Sequence, residues 1–307
     1  MLPKVVCIVG PTSSGKTALG LTLAELFHGE IINADARQGY KHFTIGTGKP
    51  RNGISGVYRH KRVYMVEGVP HHLMDFLAPT KLMTVADWRK RAITVLKEIV
   101  KRKHVPIIVG GTGLYTQALV DSYQLPAVPP QVGFRLAMES KTLPQLVEQL
   151  TRLDSTAAKT VDLKNRRRVL RALEVVVYTG KPFADQKQKA KPVVEPFFIG
   201  ISRPREELYR LINEAVDRRI EQGWVEEVRS LIKKGIPFDA PAMTSIGYRE
   251  IAQYVQGKMT LEETISRVKQ ATRQYAKRQM TWFKRDQRIH WISDKEDAVK
   301  MVREFLK

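Results

Sequence analysis

The chain has 307 residues, 43% of them hydrophobic, and 52 Lys and Arg against 31 Asp and Glu give a net charge of +21. Cys7 is the only cysteine, which excludes a disulfide framework and a Cys-rich zinc module. No run approaches the roughly 18 apolar residues of a membrane helix, and strand-like sequence begins too early for a signal peptide, so a cytoplasmic monomer with no membrane partner is expected.

The charge calls for a polyanionic partner, because cations that neutralise backbone phosphates release counterions and so strengthen binding. The arginines are also clustered. Arg166, Arg167, Arg168 and Arg171 form one group, and Arg273, Lys277, Arg278, Lys284 and Arg285 form another. A nucleic acid is the expected partner.

In chain order, Val5–Val9 reads as a buried strand and Lys16–Phe27 as a helix with apolar positions at helical spacing. Glu30–Ala34 reads as a second strand ending at Asp35, and Val63–Val66 as a short edge strand. An amphipathic helix is predicted over Val85–Lys103, then a buried strand over Val105–Val109 that runs into Gly110-Gly111-Thr112-Gly113. Alternating strands and helices imply an α/β fold with a parallel sheet and flanking helices. From about Ser122 the texture changes. Leu125–Pro130 reads as a stiff linker, and 122–185 as a helical insertion domain with helices near Leu143–Leu153, Ser155–Thr160 and Arg168–Tyr178. The core is therefore expected to comprise 1–121 and 186–307. Its second half resumes the sheet at Phe197–Ile201. Helices follow over about Arg205–Gln222, Val225–Lys234, Tyr248–Gln256 and Leu261–Arg285, then a strand over Ile289–Ile292 and a terminal helix.

The chemistry concentrates at the carboxyl ends of the first strands, where ligands bind in such sheets. Gly10-Pro11-Thr12-Ser13-Ser14-Gly15-Lys16-Thr17 is a G-x-x-x-x-G-K-T phosphate loop between a strand and a helix. Its amides form a nest for phosphate oxygens, the helix start adds positive potential, Lys16 adds a full charge, and Thr17 offers a hydroxyl to Mg²⁺. Asp35 is placed to act as a base beside those phosphates, or to cap a turn. Thr112 either bonds a ligand or caps the next helix. The Val105–Val109 strand ends in glycines and not in a Mg²⁺-binding Asp, so motor-type ATP hydrolysis is not expected; a kinase or another phosphate-anchored transferase fits. His71 and His72, with Asp75 nearby, read as hydrogen-bonded structural histidines, since no third nitrogen or sulfur ligand accompanies them.

Taken together, these stretches resemble the tRNA isopentenyl transferases, also called tRNA dimethylallyltransferases. The stretches are GPTSSGKT at 10–17, EIINADARQGY at 30–40, IGTGKP at 45–50, VPHHLMD at 69–75, GGTGLY at 110–115, RRVLRALEV at 167–175, SIGYRE at 245–250 and TRQYAKRQMTWFKRD at 272–286. They run in order through nearly the whole chain. The resemblance implies a P-loop NTPase-like core that transfers a dimethylallyl group from dimethylallyl diphosphate to N6 of adenosine 37 beside the tRNA anticodon. It implies that Gly10–Thr17 holds the diphosphate, that Mg²⁺ is the cofactor with Thr17 as its protein ligand, and that Asp35 is the base, with Lys16 and Thr112 as catalytic partners. It implies tRNA contacts at Asp35, Ala36, Arg37 and Gln38, at Arg135, Arg167, Arg168 and Arg171 in the insertion, and at Arg249, Arg273, Lys277 and Arg278.

The chain departs from the family pattern at four positions. Ala36 stands where Ser is usual, and Gly39 and Gly48 where an apolar residue and Ala are usual. Ala215 occupies the place of an arginine that reaches the diphosphate, with Arg218 and Arg219 about one turn on; either one of these substitutes, Arg219 being the one assigned to diphosphate binding, or diphosphate binding is weaker here. Prenylation of free adenine nucleotides is a competing reading that would need far less basic surface. A small-molecule kinase would leave the insertion unexplained, and a non-enzymatic RNA binder would leave Lys16, Thr17 and Asp35 without a task.

Overall fold

The computed structural model describes residues 2–50, 52–123, 128–184 and 190–307. Leu125, Pro126 and Ala127 of the expected linker, and the expected boundary at 185–186, lie outside the described residues. The chain divides into two compact units, Met1–Val120 with Val193–Lys307, and Asp121–Pro192.

The first unit begins with β1 (Lys4–Val9), α1 (Lys16–Leu26), β2 (Gly29–Asn33), β3 (Ile54–Tyr58), β4 (Lys61–Val66), β5 (Val69–His72), α2 (Val85–Lys101), β6 (Val105–Val109) and α3 (Gly113–Val120). The second unit contains α4 (Val132–Ala137), α5 (Leu143–Leu153), α6 (Ser155–Thr160) and α7 (Arg166–Thr179). The first unit then resumes with β7 (Glu195–Ile201), α8 (Arg205–Glu221), α9 (Trp224–Lys233), a 3-10 turn at Pro241–Thr244, α10 (Tyr248–Val255), α11 (Leu261–Phe283), β8 (Ile289–Ile292) and α12 (Lys295–Leu306). No helix among the described residues is long and apolar enough to cross a membrane.

The strands form one sheet in the order β3-β4-β5-β2-β6-β1-β7-β8. From β5 to β8 neighbours run parallel, whereas β3, β4 and β5 pair antiparallel. The sheet is thus mixed, and Val63–Val66 is an inner strand with β3 outside it. The reason is a tight turn at Arg59 and His60, whose φ angles of 48° and 65° are both left-handed. Such hairpin turns usually announce themselves with Asn-Gly or Asp-Gly, and this one does not.

Alternation along β1 divides the core. Val5, Cys7 and Val9 face Trp88 and Leu96 of α2, Leu119 of α3 and Phe283 of α11. Val6 and Ile8 face Leu19 and Leu23 of α1 and Ala298 and Val302 of α12. Val5 to Val9 are all fully buried, and each aliphatic side chain among them contributes about 1.5–3 kcal/mol relative to exposure. A further cluster of Phe43, Trp224, Val228 and Tyr248 underlies the segment after β2. In the second unit Leu146 and Leu150 of α5 pack on Val169 and Leu173 of α7.

Candidate active site

In the sheet order, β6 lies between β2 and β1. The loops after these three strands therefore meet at one edge and line a cleft of about 400 Å³, a size suited to a small ligand. Lys16 and Thr17 come from the phosphate loop, Asp35 from the end of β2, and Gly110 and Gly111 from the end of β6. Close packing of the last two loops depends on Gly110, where an added Cβ would lie 2.2 Å from the Ala34 carbonyl oxygen.

Helix α1 is built to receive an anion. Its N-cap is Gly15, no side chain caps its first turn, and no acid sits there. Helices α2, α5 and α11 each carry a full capping box instead. The open amides of α1 are therefore left for a ligand. Ser13 (φ 61°) and Gly15 (φ 106°) bend the loop with left-handed residues, the backbone geometry of an anion nest. Lys16 Nζ donates to the Pro11 carbonyl at 2.5 Å. Burial lowers its pKa to about 8, against the opposing pull of Asp35, so Lys16 is a desolvated cation without a carboxylate contact.

Two residues brace this loop from afar, and sequence reasoning assigned neither of them a role. Gln279 of α11 accepts from the Thr12 amide at 2.9 Å and donates to the Gly111 carbonyl at 2.9 Å, tying the phosphate loop to the loop after β6. Arg203 donates to the Ser14 carbonyl at 3.1 Å and pairs with Glu207 at 2.6 Å. The nearest sequence signal is that Gln279 lies within TRQYAKRQMTWF, whose polar residues include Thr272 and Gln279 on the buried face of α11.

Asp35 performs the turn-capping role, and its geometry leaves capacity for another. Its Oδ1 accepts from the amides of Arg37 at 2.8 Å and Gln38 at 3.4 Å. Asn33, which is buried, accepts from the Asp35 amide at 3.2 Å and donates to the Leu73 carbonyl, holding the strand end in place. Trp88 Nε1 donates to the Asn33 carbonyl at 3.0 Å. Oδ2 makes no hydrogen bond to a described residue and belongs to a side chain that lines the cleft. The Thr112 hydroxyl does not cap α3. It accepts from the Ala36 amide at 3.2 Å, beside the Tyr275 phenol, whose pKa burial pushes up to about 12 with help from Asp35.

The remaining sequence-predicted residues fall into two groups. In the first unit Gln38 lines the cleft and donates to the Thr47 and Gly48 carbonyls. Arg37 turns to the Pro241 carbonyl and the Thr244 hydroxyl. Arg273 donates to Asn213 at 2.6 Å, while Arg249, Lys277 and Arg278 are exposed, with Arg278 over the Tyr275 ring. In the second unit Arg167 is exposed, and Arg168 pairs with Asp162 at 3.1 Å. Arg135 and Arg171 hold buried Glu174 at 2.8 and 2.6 Å. That pairing gives both arginines a structural task the sequence did not announce. Burial alone would raise the Glu174 carboxyl, but these partners and the Gln131 amide bring it to about 2.

The two histidines are held by hydrogen bonds. His72 Nε2 meets Glu30 at 2.6 Å, and Glu30 is also bound by Arg102 and His104. His71 Nδ1 donates to the Val69 carbonyl at 3.0 Å, and burial lowers its pKa to about 4, leaving a neutral ring. Among the described residues no three His, Cys, Asp or Glu converge as a metal cage. The Thr17 hydroxyl in the cleft suits a hard cation such as Mg²⁺, which takes few protein ligands and completes its shell with water and phosphate oxygens.

The family model described as IPP transferase matches residues 38–286. The chain is 40% identical over 311 residues to the tRNA dimethylallyltransferase of Carboxydothermus hydrogenoformans, covering 99% of this chain and 96% of that protein. A tRNA dimethylallyltransferase of Anoxybacillus flavithermus is also 40% identical, over 96% of this chain and 92% of that one. Among solved structures, the full-length tRNA isopentenylpyrophosphate transferase of Bacillus halodurans aligns with a TM-score of 0.69 at 33% identity, covering 99% of this chain and 95% of that chain. A eukaryotic dimethylallyltransferase acting on tRNA aligns with a TM-score of 0.75 at 28% identity, covering 91% and 69% of the two chains.

Proposed function

We propose that this chain, which belongs to the IPP transferase family, transfers a dimethylallyl group from dimethylallyl diphosphate to N6 of adenosine 37 beside the anticodon of tRNA. The observation that carries the reading is the uncapped start of α1, with Lys16, in one cleft with Asp35. An anion seat and a carboxylate side by side suit displacement of a diphosphate by a nucleophile that must lose a proton.

The diphosphate sits in the nest of Gly10–Thr17, and Lys16 offsets its charge. The free Asp35 oxygen takes the proton from the adenine amino group as the nitrogen attacks the allylic carbon. The carbon–oxygen bond to diphosphate breaks, and the loop amides and Lys16 stabilise the charge that grows on the leaving group. Thr112 and Tyr275 stand beside the base. Thr17 would hold Mg²⁺, which when bound supplies further charge neutralisation at the diphosphate. The target adenine must leave its stack to enter the cleft. Arg167 and Arg168 in one unit, and Arg249, Lys277 and Arg278 in the other, supply cations for the RNA backbone.

The test is incubation with unmodified tRNA, Mg²⁺ and radiolabelled dimethylallyl diphosphate, with AMP as an alternative acceptor and ATP as an alternative donor. Label on adenosine 37 of tRNA is expected. Label on AMP alone would replace tRNA with a free nucleotide, and phosphate transfer from ATP with no prenyl transfer would overturn the reading.

A further inference from the structure

Helix α8 carries arginines that find partners on their own surface. Arg210 pairs with Glu214 at 2.8 Å, and Arg218 reaches the same carboxylate at 3.8 Å with its side chain 58% exposed. Arg205 lies over the Tyr209 ring. Arg219 differs. It lines the cleft that holds Lys16 and Asp35, is half-buried, and makes no hydrogen bond or ion pair with a described residue. Burial disfavours its charge, the neighbouring Arg218 adds to that, and only the fields of Tyr248 and Asp35 oppose. A guanidinium cannot lose its proton at working pH. A desolvated, unpaired guanidinium in a cleft therefore calls for an anion to complete it.

Gly48 lies directly against Arg219. A Cβ added there would lie 2.7 Å from Arg219 Nη2, and the backbone has φ +66°. The loop is held in that position, because Gln38 Nε2 donates to the Gly48 carbonyl at 3.2 Å and the Gly48 amide donates to the Ile45 carbonyl at 3.1 Å. The absent side chain at 48 and the guanidinium from α8 occupy one space.

We infer that Arg219 is a diphosphate-binding residue of this protein, acting with Lys16 on the phosphoryl oxygens, and that Gly48 is the residue that admits it. The inference rests on the reading of the cleft as a diphosphate site. A diphosphate brings more negative charge than Lys16 alone offsets, and the planar fork of an arginine matches two phosphoryl oxygens at once. Arg218, on the same turn, also lines the cleft, but its side chain is 58% exposed and lies 3.8 Å from the Glu214 carboxylate.

The test is calorimetric titration of inorganic pyrophosphate with Mg²⁺ into the full chain. Arg219→Ala is expected to weaken binding about 10- to 100-fold, and Arg218→Ala by less than about threefold. Gly48→Ala should weaken binding comparably on its own and add almost nothing beside Arg219→Ala, since the guanidinium it displaces is then absent. Backbone strain at position 48 is common to both backgrounds and cancels in that cycle. Arg219→Lys keeps a cation without the fork and should give a smaller loss, and the fitted stoichiometry reports the folded fraction of each variant. Wild-type affinity in Arg219→Ala, with binding lost in Lys16→Ala, would remove Arg219 from a diphosphate site that stands. Wild-type affinity in Lys16→Ala would overturn both the site and the inference, and an additive Gly48→Ala effect would overturn the part played by Gly48.

Discussion

Replacing Asp35 by Asn is expected to abolish prenyl transfer while leaving stability and tRNA binding near wild type, whereas replacing it by Ala should cost stability as well. The difference follows from two carboxylate oxygens with separate tasks. Oδ1 accepts from the Arg37 and Gln38 amides at 2.8 and 3.4 Å, a capping role that an Asn carbonyl oxygen can keep. Only the 2.8 Å contact is short enough to count fully, so Asp35→Ala should destabilise by about 1–2 kcal/mol, and Asp35→Asn by well under 1 kcal/mol. The other oxygen is the proposed base. Neither variant retains it, so both should lose about 10²–10⁴-fold in the rate of transfer, or roughly 3–5 kcal/mol of barrier. The assay is single-turnover transfer of labelled prenyl group to saturating tRNA, with denaturant unfolding and filter binding on the same preparations. An Asp35→Asn rate within about tenfold of wild type would refute the assignment of the base. Equal stability of Asp35→Ala and Asp35→Asn would refute the division of labour between the oxygens.

Three further outcomes are expected. Lys16 has its pKa lowered to about 8 by burial, and a bound diphosphate favours its charged form; binding of dimethylallyl diphosphate should therefore weaken as pH rises above 8 and take up a proton there, read by calorimetry in buffers of different ionisation enthalpy. Gln279→Leu removes the bridge between the Thr12 amide and the Gly111 carbonyl, leaving two polar groups unpaired. It should raise KM for dimethylallyl diphosphate about tenfold or more with the fold retained by circular dichroism. Burial would raise the Glu30 carboxyl, but the hydrogen bonds from His72 and Arg102 prevail and hold it at about 2. Its stabilising share is present above about pH 4.5 and lost as pH falls towards 2, so Glu30→Gln should lower stability at neutral pH by roughly 2 kcal/mol and flatten the acid limb of a denaturation series.

The sequence by itself determined the parts of this protein whose signals are local. The phosphate loop, its flanking strand and helix, and Asp35 at the end of β2 are legible because turn chemistry and hydrophobic period are written over a few consecutive residues. The order of the motifs along the chain carried the family. Only the tertiary structure decided the parts that depend on residues far apart in sequence. Gln279 reaches Thr12 across 267 positions, and nothing in either segment marks the pair. Arg135 and Arg171 read as surface cations until buried Glu174 meets them, and the hairpin that makes β3 the sheet edge turns on two residues with no glycine between them. Gly48 and Arg219 each stand out in the sequence against the family pattern, but nothing there links the two. They come to share one space only when α8 packs beside the loop after β2, because whether a glycine is needed at a position depends on what another part of the chain puts against it.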